Sequence, residues 1–145
     1  MPLPRQIHAT AVSISDKGLL LIGLSGSGKS SLALQMMALG AGLIGDDMIE
    51  VTEVSGKLML SSPVPADAEF GIEARGVGLL AATRAKPAEL SAIVDLTYSE
   101  TVRLPQLRYA KILNVEVPCF QKVETTAFPA MMMQYVSRGL VQYES

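Results

Sequence analysis

Cysteine and histidine each occur once in this 145-residue sequence, as Cys119 and His8. A single cysteine excludes a disulfide framework within the chain and a zinc site built from thiolates. A single histidine weakens any imidazole-based metal site. Basic residues are scarce as well: 12 Lys and Arg stand against 14 Asp and Glu, a formal net charge of −2. Nucleic-acid binding rests on a clustered basic face, so no nucleic-acid partner is expected. No apolar run reaches the ~18 residues of a membrane span. The opening stretch MPLPRQIHAT lacks the layout of a signal peptide. The expectation is a cytoplasmic protein in a reducing compartment, with no membrane partner. Internal repeats and low-complexity tracts are missing too.

What is present is a core. Hydrophobic residues make up 49% and charged residues 18%, which suits a folded chain. The length predicts one domain, residues 1–145. Ile7 to Ile14 alternate weakly and predict a strand, followed by a turn at Ser15-Asp16-Lys17-Gly18. Leu19-Leu20-Leu21-Ile22 is a short continuous apolar run, the mark of a strand buried on both faces. Ser31 to Leu39 predict a helix that Gly40 and Gly42 end. Leu43-Ile44 is a brief strand closing on Gly45-Asp46-Asp47. Met48 to Val54 and Leu58 to Leu60 form a hairpin about Ser55-Gly56-Lys57. Ser61 to Glu69, with two prolines, is a loop, and Gly71 to Gly78 is punctuated by glycine. Ala92 to Leu96 and Ile112 to Val117 are further strands, and Phe128 to Val136 a C-terminal helix.

The most specific pattern is Gly23-x-x-x-x-Gly28-Lys29-Ser30, a complete phosphate-binding loop. Its glycines let the backbone wrap a phosphate chain. The N–H groups of Ser25, Gly26, Ser27 and Gly28 then point inward, backed by the positive end of the next helix. Lys29 reaches toward the β- and γ-phosphates, and Ser30 offers a hydroxyl to Mg²⁺. Ser31, the next residue, is counted with the loop. A glycine-rich turn without a ligand is the plainer alternative. The buried strand before the loop and the helix after it argue against that.

Asp46 and Asp47 follow a short apolar segment. In enzymes with this loop, the strand beside the loop strand commonly ends in an Asp that holds Mg²⁺. Two adjacent carboxylates divide the work, one near the metal and one as base toward an incoming hydroxyl. A solvated Gly-Asp-Asp turn is the alternative. Glu73 and Arg75, two apart, share one face if the chain is extended there. The carboxylate suits a metal's shell and the guanidinium a transferring phosphoryl group. Taken alone, they read as a surface ion pair. His8 on a strand reads as structural, Arg103 as an ordinary loop residue and Cys119 as a small buried apolar group. The fold class expected is α/β, a P-loop domain around a mixed sheet with antiparallel hairpins.

Taken together, these segments resemble the catalytic domain of the HPr kinase/phosphorylases, whose fold is similar to that of the PEP carboxykinases. The likeness runs through Ile7-His8-Ala9, Gly18 to Gly23, Ser25 to Ser30, Asp46-Asp47 and Gly71 to Gly78. It is clear over residues 7–80 and thinner to Arg103-Leu104 and Ile112 to Pro118. The loop is common to many enzymes; the upstream His, the double Asp and E-x-R-G in this order are far more specific.

The resemblance implies an ATP- and Mg²⁺-dependent kinase that phosphorylates a serine of the phosphocarrier protein HPr. It also implies the reverse reaction, in which inorganic phosphate attacks phosphoserine and releases pyrophosphate. By position, His8 matches the active-site His, Lys29 the phosphate-binding Lys and Ser30 the metal-binding hydroxyl. Asp47 matches the catalytic carboxylate, with Asp46 beside it. Glu73 matches a metal-associated Glu, Arg75 the signature Arg and Arg103 a later catalytic Arg. The likeness further implies a homo-oligomer, a hexamer, and a short form without the family's N-terminal domain, as proteobacterial members have. Ser31 stands where many members carry an acidic residue. Gln121 to Pro129 stands where the family has a basic segment rich in proline and glycine. Two other functions fit the loop: a small-molecule kinase and a nucleotide-binding regulator without catalysis.

Overall fold

The computed structural model describes residues 4–141. Among the described residues, eleven strands and two helices follow one another. β1 (Arg5–Ile7), β2 (Thr10–Ile14) and β3 (Lys17–Ile22) lead into α1 (Lys29–Ala38). β4 (Gly42–Gly45), β5 (Ile49–Val54) and β6 (Lys57–Ser61) come next, then the short pair β7 (Gly71–Ala74) and β8 (Gly78–Ala81). β9 (Ala88–Ser99), β10 (Arg108–Ile112) and β11 (Val115–Lys122) precede α2 (Phe128–Arg138).

Nine of the strands form one mixed sheet in the order β1-β5-β6-β9-β3-β2-β4, with β11 also on β9 and β10 beyond it. The centre is β9, whose 12 residues hold three partners. β3 runs parallel beside it, with Leu21 opposite Val94. β6 meets its start antiparallel, at Met59 and Glu89, and β11 meets its end in parallel, at Phe120 and Val94. The expected mixed sheet with hairpins is therefore what the chain forms.

Alternation along β3 explains the layering. Leu19 and Leu21 enter one apolar cluster, with Leu32, Ala33 and Met36 of α1 and Phe128, Met132 and Val136 of α2. Leu20 enters a second cluster, together with Ile44, Ile49, Val51, Leu58 and Leu60. A continuous apolar run is thus buried on both faces, as its composition predicts. Both helices cover the first face. No helix residue enters the second, which strand residues and Ala9 fill, so the sheet curls to bury it. The register of β9 slips opposite Gly18 and Leu19, where Leu90 and then Ala92 are the partners. That bulge at Ser91 moves the core-facing positions by one, so Leu90 and Ile93 share a cluster.

Three expectations need correction, and one segment without a predicted element gains one. The strand over Ile7–Ile14 is broken at His8-Ala9: β1 pairs with β5, whereas β2 pairs with β3 and β4. Ala9 instead gives its N–H to the Asp47 carbonyl, 3.2 Å away. Ile112–Val117 is not one strand but a hairpin corner, with Leu113 at φ 49° and Asn114 at φ 66°. Both central residues are left-handed, as in Ser15-Asp16 and Ser55-Gly56, the backbone that suits two-residue hairpins. Leucine rarely adopts that conformation, so Asn114 alone signals a turn at this corner. Gly71–Gly78 folds into a hairpin of its own, β7 with β8. Finally, β4 does not lie beside the loop strand β3; β2 stands between them.

The segment after β9 is closed by an ion pair between Glu100 and Arg108. The Glu100 carboxylate also accepts the N–H groups of Thr101 and Val102, each at 3.2 Å. The hydrogen bond from Arg108 holds the Glu100 carboxyl below its ordinary value of 4.5. A depressed carboxyl stabilises the fold above its unfolded pKa, and the contribution is lost as the pH falls through the folded value. Arg108→Gln is expected to lower the melting temperature at pH 7. The gap to the parent should close in melts taken stepwise below pH 4.5. A gap that persists in acid would show that the guanidinium acts by packing instead.

Candidate active site

β3 delivers the chain to Gly23 at the carboxyl edge of the sheet, and Gly23 to Gly28 form the loop before α1. Two glycines are required by its shape. Gly23 sits at φ 148°, and a Cβ there would lie 2.6 Å from Ser27 Oγ. Gly28, at φ 102°, is the left-handed residue from which α1 starts. The loop is tied by Ser27 N–H to the Leu24 carbonyl at 3.0 Å, and Leu32 N–H closes the first helical turn on Gly28 at 2.9 Å.

Lys29 is buried, with only 7% of its surface exposed. Its ammonium donates to the carbonyls of Gly23 at 2.8 Å and Leu24 at 3.1 Å. An ammonium has three N–H groups. Two are spent on bracing the loop, which fixes the charge in place and leaves one donor for a ligand.

Asp46 is the hub of the cleft. Its Oδ1 accepts the hydroxyls of Ser30 and Thr10, both at 2.8 Å, and its Oδ2 accepts the Glu73 N–H at 3.0 Å. One carboxylate thereby joins β2, α1 and β7 to the end of β4. Asp47, the next residue, turns away. It sits at φ 72°, and its side chain is 80% exposed. Its Oδ1 lies 3.4 Å from His8 Nδ1. The break between β1 and β2 is what presents His8 here: Ala9 bonds to the Asp47 backbone while His8 meets its side chain.

These groups surround a cleft of about 230 Å³. Ser25, Gly26, Gly28 and Ser31 line its loop side, with Lys29 and Ser30. Asp46, Asp47, His8 and Thr10 line the sheet side, and Glu73 and Arg75 close it from the β7–β8 hairpin. Glu73 is on β7 and Arg75 in the turn that follows, so they are not on one continuous extended segment, yet both reach the cleft. Gly23 and Ser27 belong to the loop but do not line this cavity. Arg103 stands apart, on the exposed segment between β9 and β10, and is not among the lining residues. Thr10 is the residue that motif reading misses. It is fully buried, and its only sequence signal is its place two residues after His8.

Three carboxylates (Asp46, Asp47, Glu73) face two permanent cations (Lys29, Arg75) across this cleft. A polyanion therefore needs a further cation to enter. Oxygen donors are the right chemistry for a hard divalent ion such as Mg²⁺. Among the described residues, no group of three or more His, Cys, Asp or Glu side chains converges on an ion site. The protein offers the Ser30 hydroxyl and the Asp46 carboxylate, an incomplete shell of the kind that phosphate oxygens complete. Among the described residues, no helix is long and apolar enough to cross a membrane.

Residues 2–125 match the family model of the HPr Serine kinase C-terminal domain. An HPr kinase/phosphorylase of Chlorobium phaeobacteroides is 31% identical over 133 residues, covering 82% of this chain and 41% of that protein. Another, from Clostridium tetani, is 36% identical over 75 residues, covering 52% of this chain and 24% of that one. The chain thus spans less than half the length of these curated relatives. The Hpr(Ser) kinase/phosphatase structure from Coxiella burnetii shares the fold, with a TM-score of 0.72 at 22% identity, over 92% of this chain and 94% of that one. A loop–acid cleft on a curled mixed sheet and a family match over most of the sequence agree: this chain belongs to the HPr serine kinase C-terminal domain family.

Proposed function

We propose that this chain is the catalytic domain of an ATP- and Mg²⁺-dependent serine kinase whose acceptor is the phosphocarrier protein HPr. The observation that carries the reading is the Asp46 carboxylate. It ties the loop's Ser30 to the Glu73 segment in a cleft that also holds Lys29 and the His8–Asp47 pair. Family membership, and relatives named HPr kinase/phosphorylase, support HPr as the substrate.

In this reading, the backbone amides from Gly23 to Ser31 and the free Lys29 N–H receive the phosphate chain. Ser30 and Asp46 would hold Mg²⁺, with Glu73 beside them, and the ion would neutralise charge on the phosphate oxygens. Asp47, solvent-facing, accepts the serine proton on a carboxylate oxygen as the new O–P bond forms and the O–P bond to ADP breaks. His8 orients that carboxylate through the 3.4 Å contact. Arg75 faces the negative charge of the phosphoryl group in transfer. In the reverse direction, an oxygen of inorganic phosphate attacks the phosphorus of phosphoserine to form pyrophosphate, the serine O–P bond breaks, and Asp47 returns its proton to the leaving serine oxygen. Arg103 enters no step of this scheme, because it does not line the cleft. A homo-oligomer, a hexamer by the family likeness, and a cytoplasmic setting belong to the same proposal.

The test is incubation with γ-labelled ATP, Mg²⁺ and either HPr or a panel of small hydroxylated metabolites. Label is expected in HPr alone. Label in a metabolite would make the protein a small-molecule kinase. ATP binding with label in neither acceptor would leave a nucleotide-sensing regulator.

A further inference from the structure

Among the described residues, Thr10 and Lys29 are the two polar or charged residues that the fold buries. Lys29 belongs to the phosphate loop. Thr10 belongs to no motif, and the sheet sets its position. β2 pairs antiparallel with β4, Ala11 opposite Gly45, so the next step outward brings Thr10 against Asp46. Two successive residues then tie the same turn. Ala9 N–H donates to the Asp47 carbonyl at 3.2 Å, and the Thr10 hydroxyl to Asp46 Oδ1 at 2.8 Å. A carboxylate offers about four acceptor positions, shared between its oxygens. On Asp46, Oδ1 takes the hydroxyls of Thr10 and Ser30, and Oδ2 takes the Glu73 N–H. Oδ1 is thereby filled, and Oδ2 keeps one position for a ligand.

We propose that Thr10 is a positioning residue that sets the choice of metal: it holds Asp46 to a single open acceptor position, and so favours Mg²⁺ over Ca²⁺ beside the triphosphate. The inference rests on the reading of the cleft as a metal–nucleotide site. Mg²⁺ demands a near-regular octahedron, keeps several waters and takes one or two carboxylates. Ca²⁺ takes about six to eight oxygens in looser geometry, and accepts a carboxylate through both of its oxygens. Chelation of that kind needs an open position on Oδ1 as well as on Oδ2. Thr10 fills the position on Oδ1 that Ser30 does not. Ser30 can keep its hydrogen bond while its oxygen meets the ion, because a hydroxyl is one donor with two acceptor positions. Thr10 is 0% exposed, so solvent does not compete for its hydroxyl. Partners that orient a metal's ligands are typically worth about 10–100-fold in affinity.

The experiment is calorimetric titration of the full chain with a non-hydrolysable ATP analogue, in excess Mg²⁺ and in excess Ca²⁺. The proteins are the parent, Thr10→Val, Thr10→Ala and Thr10→Ser. Valine removes the hydroxyl and keeps the shape. Alanine removes it at smaller volume and gives the same reading if the valine protein does not fold, which circular dichroism checks. Serine keeps the hydroxyl. The parent is expected to bind the Mg²⁺ complex more tightly than the Ca²⁺ complex. Thr10→Val and Thr10→Ala should move that ratio toward Ca²⁺ by about 10–100-fold, and Thr10→Ser should hold it. A residue that only packs β2 would weaken both complexes together, so an unchanged ratio in the valine and alanine proteins would overturn the proposal and leave the nucleotide site standing. A shifted ratio in Thr10→Ser, or a parent without preference, would overturn it as well. A parent that binds neither complex would bring down the reading of the cleft, and the proposal with it.

Discussion

Lys29→Ala is expected to abolish measurable ATP binding, and turnover with it. The ammonium does two things that alanine cannot. It braces the loop through the Gly23 and Leu24 carbonyls, and it keeps one N–H for a phosphate oxygen. Hydrogen bonds to charged groups contribute about 1.5–3 kcal/mol each. Losing the phosphate contact, with a comparable share from the two lost braces, therefore weakens ATP by roughly two to four powers of ten. The loop carbonyls turn toward solvent water, so the fold itself should survive. Calorimetric titration with Mg-ATP reads the effect. Affinity within threefold of the parent would mean that the triphosphate lies elsewhere.

The second large effect separates binding from chemistry. Asp47→Asn is expected to bind ATP like the parent and to transfer phosphate roughly 10²–10⁴-fold more slowly, the usual share of a general base. The substitution suits this test. Asp47 sits at φ 72°, and asparagine tolerates the left-handed region as well as aspartate does. The Ala9 N–H still finds the residue-47 carbonyl. Asparagine also keeps an oxygen for His8, so only the proton acceptor is removed. An unchanged kcat with HPr would take the base role from Asp47. A large rise in KM with kcat intact would recast it as a docking residue.

Much of this site is legible one segment at a time. The loop from Gly23 to Ser30 is local chemistry: its spacing alone sets which residues are left-handed and which N–H groups turn inward. Asp46-Asp47 is legible for the same reason, as a turn at the end of a short apolar strand. The α1 helix and the hairpins at Ser15-Asp16 and Ser55-Gly56 also follow from local composition. Other features depend on partners distant in sequence. Nothing near Thr10 says that Asp46, 36 residues on, will accept its hydroxyl. His8 reaches Asp47 where the chain leaves one strand and enters another, a point at which Ala9 bonds to the distant Asp47 carbonyl. The Leu113-Asn114 corner has no glycine to announce it. The position of β4 beyond β2 is a property of the whole sheet, which no local pattern records. A cavity lined by Leu32 and Gln35 of α1, Leu96 of β9 and Val123 to Thr126 before α2 is assembled from distant segments, so it has no linear signature.

The most direct test of the account is mass spectrometry of HPr after incubation with this protein, ATP and Mg²⁺. One added phosphoryl group on a serine of HPr is expected, and none when the Lys29→Ala protein is used. Unmodified HPr, from a preparation shown to bind ATP, would contradict the account.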